Sequence, residues 1–314
     1  LQSHNEIHYS DDNGRTWTQA ANAAWSGRHA FGFVKHGGFY YVISSDNDAT
    51  GTAPKEVWKS ATTDGLTWTL VTNAAAWSNR TYIGAVSFNG ALWAFGGQPL
   101  PLVASALQDV WKSTDNGVTW VQQCASCSPN VGNLANNVVV YNGKIWIIGG
   151  EIAGGAANRF KTVYSSVDGV TWVAEADLPI VDGVSYPRAF VFDGKLWFYG
   201  GYSTTLTNTN YLYWTTDGIT WNNQTTAEMR SGHAIALAVK NDGSGFTVTS
   251  GFENDVYDCY YKTITTTNKT NCVVTSTIVS NSVKRIGEVE NQIVYGTGSG
   301  VTSSTKFTVS GDTL

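Results

Sequence analysis

Apolar residues in this chain come in short runs, and three pairs of runs share nearly one spelling. Ala85–Gly97 reads Ala-Val-Ser-Phe-Asn-Gly-Ala-Leu-Trp-Ala-Phe-Gly-Gly, and Val138–Gly150 reads Val-Val-Val-Tyr-Asn-Gly-Lys-Ile-Trp-Ile-Ile-Gly-Gly. Ala189–Gly201 reads Ala-Phe-Val-Phe-Asp-Gly-Lys-Leu-Trp-Phe-Tyr-Gly-Gly. Asn-Gly or Asp-Gly between apolar runs predicts a β-hairpin, because a type I′ turn needs positive φ at both central residues. Weaker copies at Phe31–Ser45, Ile235–Gly251 and Ile286–Gly296 bring the expected hairpins to six. The runs Trp146–Ile148 and Leu196–Tyr199 are unbroken rather than alternating, which predicts strands buried on both faces. The glycine pairs suit places where backbones approach closely.

A second unit alternates with the hairpins. It is clearest at Asp109–Trp120, Asp-Val-Trp-Lys-Ser-Thr-Asp-Asn-Gly-Val-Thr-Trp, with versions at Tyr9–Trp17, Val57–Trp68, Tyr164–Trp172 and Leu212–Trp221. The closing tryptophans 17, 68, 120, 172 and 221 are 51, 52, 52 and 49 residues apart. A strand-turn-strand unit repeated at about 50 residues predicts a propeller-type array. The stretches between the two units, Asp46–Lys55, Gln98–Gln108, Glu151–Lys161 and Tyr202–Asn210, vary in length and are rich in small and polar residues. They read as surface loops on one common face. Four strands per unit and six units give an all-β, six-bladed β-propeller of four-stranded antiparallel blades, one domain over residues 1–314. The strand pair at Glu6–Ala20 is expected to complete the last blade beside the hairpin Arg285–Gly300, so that N- and C-terminal segments close the ring. Thr305–Leu314 is then surplus, either an edge strand of its own blade or a strand exchanged with another molecule.

Composition narrows the function. The chain has 13 Trp and 15 Tyr, charged residues make up 14%, and the net charge is −5 with no basic run. No nucleic-acid partner is expected, and no apolar stretch approaches the roughly 18 residues of a membrane span. The chain begins at Leu1 and reads as a mature or excised segment. Its four cysteines favour the pairings Cys124–Cys127 and Cys259–Cys272, and disulfides would place the protein outside the cell or at its surface. Cys124-Ala-Ser-Cys127 has redox-motif spacing without the βαβ context that redox chemistry requires. Asn79, Asn223 and Asn268 open Asn-x-Thr sequons and permit glycosylation.

Two repeat patterns are superposed here. The hairpin ending in Gly-Gly and followed by Asp-Val-Trp resembles the kelch repeat of galactose-oxidase-like propellers. The Ser/Thr-x-Asp-x-Gly-x-Thr-Trp stretch resembles the Asp-box of sialidases. Ser10–Trp17 and Ser113–Trp120 match that box in full, and the copies ending at Trp68, Trp172 and Trp221 are one residue shorter. The fifth unit keeps Asp255-Val256-Tyr257 but lacks the Gly and Trp over Thr265–Cys272. The resemblance implies a structural role for Asp12, Asp64, Asp115, Asp168 and Asp217: each accepts backbone N–H bonds in its own turn while glycine takes the positive-φ position.

Candidate chemistry lies at the starts of the first strands, where Arg28, Arg80, Arg188, Arg230 and Arg285 are expected near the central channel, with Asn133–Asn137 taking that place in the third unit. His29, Tyr82, Tyr186, Glu228, His233 and Glu288 lie close in sequence. Sialidases hold a carboxylate with clustered arginines and use a Tyr–Glu pair as nucleophile. The sialidase Arg-Ile-Pro signature is missing, however, and residues repeated in nearly every unit argue for a role in the fold. Galactose oxidase would need copper ligands that five His and their spacing do not supply. Asp46-Asn47-Asp48 and Glu253-Asn254-Asp255 read as solvated loop acids rather than a calcium site. No metal, cofactor or catalytic residue is assigned. The expectation is a secreted or surface-exposed binding or structural module for a glycan or protein ligand. Two alternatives stand beside it: a glycan-processing enzyme of sialidase or sialic-acid-isomerising type, and an extracellular fibre subunit.

Overall fold

The computed structural model describes residues 5–11, 16–45, 52–100, 105–129, 137–152, 158–205, 207–225, 236–239, 245–249, 256–260 and 283–285, the last four segments through their backbone alone. The protein is an all-β, propeller-like array of antiparallel sheets. The first blade runs Gly32–His36, Phe39–Ile43, Val57–Ser60, Trp68–Thr72, from the inner strand outward. The second is Gly84–Phe88, Ala91–Phe95, Val110–Ser113, Val121–Cys124, and the third Val138–Tyr141, Lys144–Glu151, Arg159–Ser166, Val173–Ala174. The fourth is Arg188–Phe192, Lys195–Tyr199, Leu212–Thr215, Asn222–Asn223. First strands of successive blades lie beside one another, so they form the axial side of the array.

The hairpin turns are as the dipeptides require. Asn89 and Gly90 stand at φ 48° and 73°, Asn142 and Gly143 at 47° and 70°, Asp193 and Gly194 at 49° and 65°. Leu196, Trp197, Phe198 and Tyr199 are all buried, as their unbroken apolar run predicts. Neighbouring blades share one apolar layer each. Tyr41 and Val57 of the first blade pack with Ala85, Leu92 and Trp120 of the second. Trp93 and Phe95 meet Ile145, Ile147 and Trp172 of the third, and Trp146 and Ile148 meet Leu196, Phe198 and Trp221 of the fourth. Gly97 shows why the pair after each hairpin is glycine. It stands at φ +93°, and a Cβ there would approach the Thr81 carbonyl oxygen to 2.6 Å.

Six blades are not reached among the described residues. Four are described with their side chains. A fifth four-stranded sheet (Ala236–Val239, Gly245–Thr249, Val256–Tyr260, Val283–Arg285) is described by its backbone, and His8–Tyr9 with Thr18–Gln19 makes a two-stranded sheet. The expected closing hairpin after Arg285 and the segment 305–314 lie outside the described residues. Arg285 itself does not open an inner strand. It ends the outer strand of the fifth sheet, opposite Tyr257, because Val283–Arg285 pairs with Val256–Tyr260. No helix among the described residues is long and apolar enough to cross a membrane.

Candidate functional site

Two of the arginines expected to converge, Arg28 and Arg80, are held inside their own blades instead. Arg28, 4% exposed, donates from Nη2 to Glu56 Oε2 at 2.8 Å, and from Nε to the Ser26 carbonyl oxygen. Arg80, 1% exposed, makes a two-pronged pair with Asp109, Nη2 to Oδ2 at 2.8 Å and Nη1 to Oδ1. It also donates to the carbonyl oxygens of Gly96 and Ser78. Each acid precedes the third strand of the same blade and also accepts from an indole, Trp58 Nε1 to Glu56 at 2.8 Å and Trp111 Nε1 to Asp109 at 2.7 Å. These guanidiniums brace one blade from inner strand to third strand, which removes them from any shared anion site.

Arg188 occupies a different register. It pairs with Tyr199 on the innermost strand, where the first and second blades have Gly32 opposite Ile43 and Gly84 opposite Phe95. The equivalent of Arg80 in the fourth blade is Val184. Arg188 is half-buried by exposed area, yet crowded enough that desolvation lowers its pKa, as befits a side chain on the axial wall. Arg230 lies outside the described residues, and the Arg285 side chain is not described.

The Asp-box turns are closed structural units. Asp217 Oδ1 accepts from the backbone N–H of Ile219 (2.8 Å) and Thr220 (2.7 Å) and from the Thr215 hydroxyl, whose oxygen in turn accepts from Gly218 N–H. Asp168 repeats this with Val170, Thr171 and Ser166. Asp115 is bound by Thr119 and Ser113, and Asp64 by Leu66 and Thr62. Asp12 lies outside the described residues, as do Asp46–Asp48 and 253–255. Among the described residues no three His, Cys, Asp or Glu side chains gather as a metal would need.

Cys124 and Cys127 are free thiols, not the expected disulfide. Cys124 ends an edge strand, where its sulfur accepts from Ser126 N–H at 3.3 Å. Cys127 turns into the layer between the second and third blades. Burial, then the hydrogen bond and charge of Cys124, push the Cys127 thiol up to about 12, so it is a poor nucleophile. Cys259 lies in the fifth sheet and Cys272 outside the described residues. Asn79 and Asn223 are exposed; Asn268 is not described.

The structure assembles a different cluster, on the face that carries the variable loops. Tyr82, which precedes the second blade's inner strand, and Tyr186, which precedes the fourth's, bring their rings to 5.6 Å between centroids at 59°. The Tyr186 hydroxyl reaches Glu151 Oε1 at 3.3 Å. Glu151 Oε2 accepts from Arg159 Nε at 2.8 Å, and both side chains are more than four-fifths buried. Arg159 also donates to the Ser203 carbonyl oxygen and lies over the Tyr202 ring, 4.5 Å from its centre. Burial, together with the neighbouring Tyr82 and Glu151, pushes the Tyr186 phenol well above its usual range.

No protein-family model matches the chain, and no curated protein matches it.

The sequence singled out Tyr82 and Tyr186 by proximity, but missed Glu151 and Arg159. The third blade's middle strands, Lys144–Glu151 and Arg159–Ser166, run eight residues each where the other three blades have four or five. The extension follows a register shift between Ile148 and Gly150 and pairs Glu151 with Arg159. A bulge of this kind leaves no signal in a polar, glycine-rich stretch.

Proposed function

We propose that this chain is a non-catalytic, secreted or surface-exposed binding module that recognises a glycan or protein through the loop-bearing face. The observation that carries this is the division of labour among polar groups. Arg28 and Arg80 are spent inside their own blades, while Tyr82 and Tyr186 gather with Glu151 and Arg159 of the extended third blade. The raised phenol of Tyr186 supports the same reading, since a nucleophilic tyrosine needs its proton made easier to remove. In this reading the patterning is of kelch and Asp-box type. A sixth blade combines the sheet at His8–Gln19 with the C-terminal segment, and Asn79 and Asn223 are open to glycosylation. Binding of the full chain to an immobilised glycan array, with the sugars unchanged on recovery, is the expected result. Turnover of a fluorogenic sialoside that is lost on Arg188→Ala would establish the enzyme instead; the Tyr186–Glu151 contact is what favours that alternative.

A second reading rests on the isolated two-stranded sheet at His8–Tyr9 and Thr18–Gln19. Among the described residues neither of its strands pairs with a further strand, which suits strand exchange between copies and hence a fibre subunit. Filaments under the electron microscope that vanish on deleting 305–314, leaving a folded monomer, are its expected signature. An oligomeric state unchanged by that deletion disposes of it.

A further inference from the structure

Tyr82 and Tyr186 share a backbone peculiarity. They stand at φ +56° and +54°, a left-handed conformation that is a rare outlier for so bulky a residue. The corresponding residue in the first blade, Ala30, is at +52°, so the repeat imposes the turn and not the side chain. Holding a tyrosine there costs on the order of 1–3 kcal/mol, and such strain persists where a site requires it. Neither ring is needed to seal a blade: both remain half-buried, and the apolar layers between blades are complete without them. The two rings come from non-adjacent blades and meet across the third. The third is also the blade whose middle strands are extended, and that extension delivers Glu151 and Arg159 to the same place. Arg159 then ties the extension to the fourth blade through Ser203 and Tyr202. Three successive blades thus contribute residues to one spot near the axis.

We infer that Tyr82, Tyr186, Tyr202 and the Glu151–Arg159 pair form a site for a single neutral pyranose ring, presented at the end of a glycan. This rests on the binding-module reading above and names its site and ligand class. A pyranose has an apolar C–H face that stacks on a phenol ring, and an equatorial edge of vicinal hydroxyls that both donate and accept. A buried carboxylate–guanidinium pair meets that edge with acceptors and donors already fixed in place. Glu151 and Arg159 neutralise one another, so the pair itself makes no demand for a charged ligand. An extended peptide is the weaker fit. Proline-type recognition uses an apolar groove of parallel aromatic faces, whereas these rings are tilted and one hydroxyl is engaged by a carboxylate.

The test is saturation-transfer NMR on the full chain with methyl glucopyranoside, methyl galactopyranoside, methyl mannopyranoside and methyl N-acetylglucosaminide. At least one should show transfer concentrated on the protons of one ring face. Tyr82→Asn and Tyr186→Asn keep a residue that tolerates left-handed φ, and each should weaken binding about tenfold or more. Tyr82→Phe, which keeps the ring, should bind within about threefold of the parent. Melting curves establish that each variant is folded, and the Phe variant remains informative where an Asn variant is not. Transfer unaltered in both Asn variants overturns the site. So does transfer seen only with a methyl sialoside or a proline-rich peptide. If the glycan array still binds the Asn variants, this site falls and the module reading stands. If the array and all four pyranosides fail with the parent protein, this site falls together with the glycan half of the module reading.

Discussion

Gly218 stands at φ +78°, and a Cβ added there would fall inside the indole of Trp146 in the preceding blade. Gly169 faces Trp93 in the same way, with a Cβ at 2.7 Å from the ring. The Asp-box glycine is therefore fixed twice, by its own turn and by the neighbour's tryptophan. Gly218→Ala should lower the melting temperature by several degrees more than Gly143→Ala, whose glycine also has positive φ (+70°) but meets nothing within 4 Å. The aspartate beside it titrates below the range of an ordinary surface acid. Backbone N–H bonds from Ile219 and Thr220, with the Thr215 hydroxyl, bring the Asp217 carboxyl down to about 2. Its folded pKa lies below its unfolded value, so its contribution is complete above about pH 4 and is lost as pH falls toward 2. Melting temperature followed from pH 5 to pH 2 should drop less steeply in Asp217→Asn than in the parent. Parallel curves would show that the turn does not depend on the charge.

Elements were legible in the sequence to different depths, for reasons that specific positions make plain. The hairpins are local, since Asn89-Gly90 and Asp193-Gly194 dictate their own turns, and the structure has them. The indole layers follow from the same repeat: Trp77 packs edge-on to Trp120 at 4.9 Å, and Trp25 to Trp68 at 4.9 Å. The arginines were visible as a residue type but not as partners, because each pair spans 28 or 29 residues of intervening hairpin and loop. A signal was present even so. Glu56-Val57-Trp58 and Asp109-Val110-Trp111 share an acid two residues before the indole, and among the four blades described with side chains only these two have that acid and the arginine buried against it. Counting back five residues from the turn would have aligned Arg188 with Gly84 and exposed the misplaced register. Arg80→Ala strands the Asp109 carboxylate in a nearly dry setting and should cost about 3–5 kcal/mol in denaturant unfolding. Arg80→Ala combined with Asp109→Ala should cost clearly less than the sum of the two single changes. Strict additivity would mean that the pair does not act as a unit.

At the scale of the whole molecule, the question is how an array of blades ends. Trp25 sits against Trp58 and Trp68, at 5.6 and 4.9 Å, in the arrangement that Trp77 makes with Trp111 and Trp120. Ile7 and Ala23 join that layer, and Asn5 holds the carbonyl oxygens of Ala23 and Trp25 at 3.1 and 3.2 Å. The N-terminal sheet therefore covers the outer part of the first blade as each blade covers the next. A repeat array distributes its stability over such neighbour interfaces, so a terminal unit with an uncovered face is its weakest point. Deleting residues 1–20 strips Ile7 from the layer around Trp25 and removes the Asn5 bonds to the Ala23 and Trp25 carbonyl oxygens. The truncated chain should unfold at a markedly lower denaturant midpoint, bind a hydrophobic dye at room temperature and elute as more than one species. If the same deletion leaves the midpoint and the elution volume unchanged, the terminal strands are ornamental, and the array is held together by its internal blade interfaces alone.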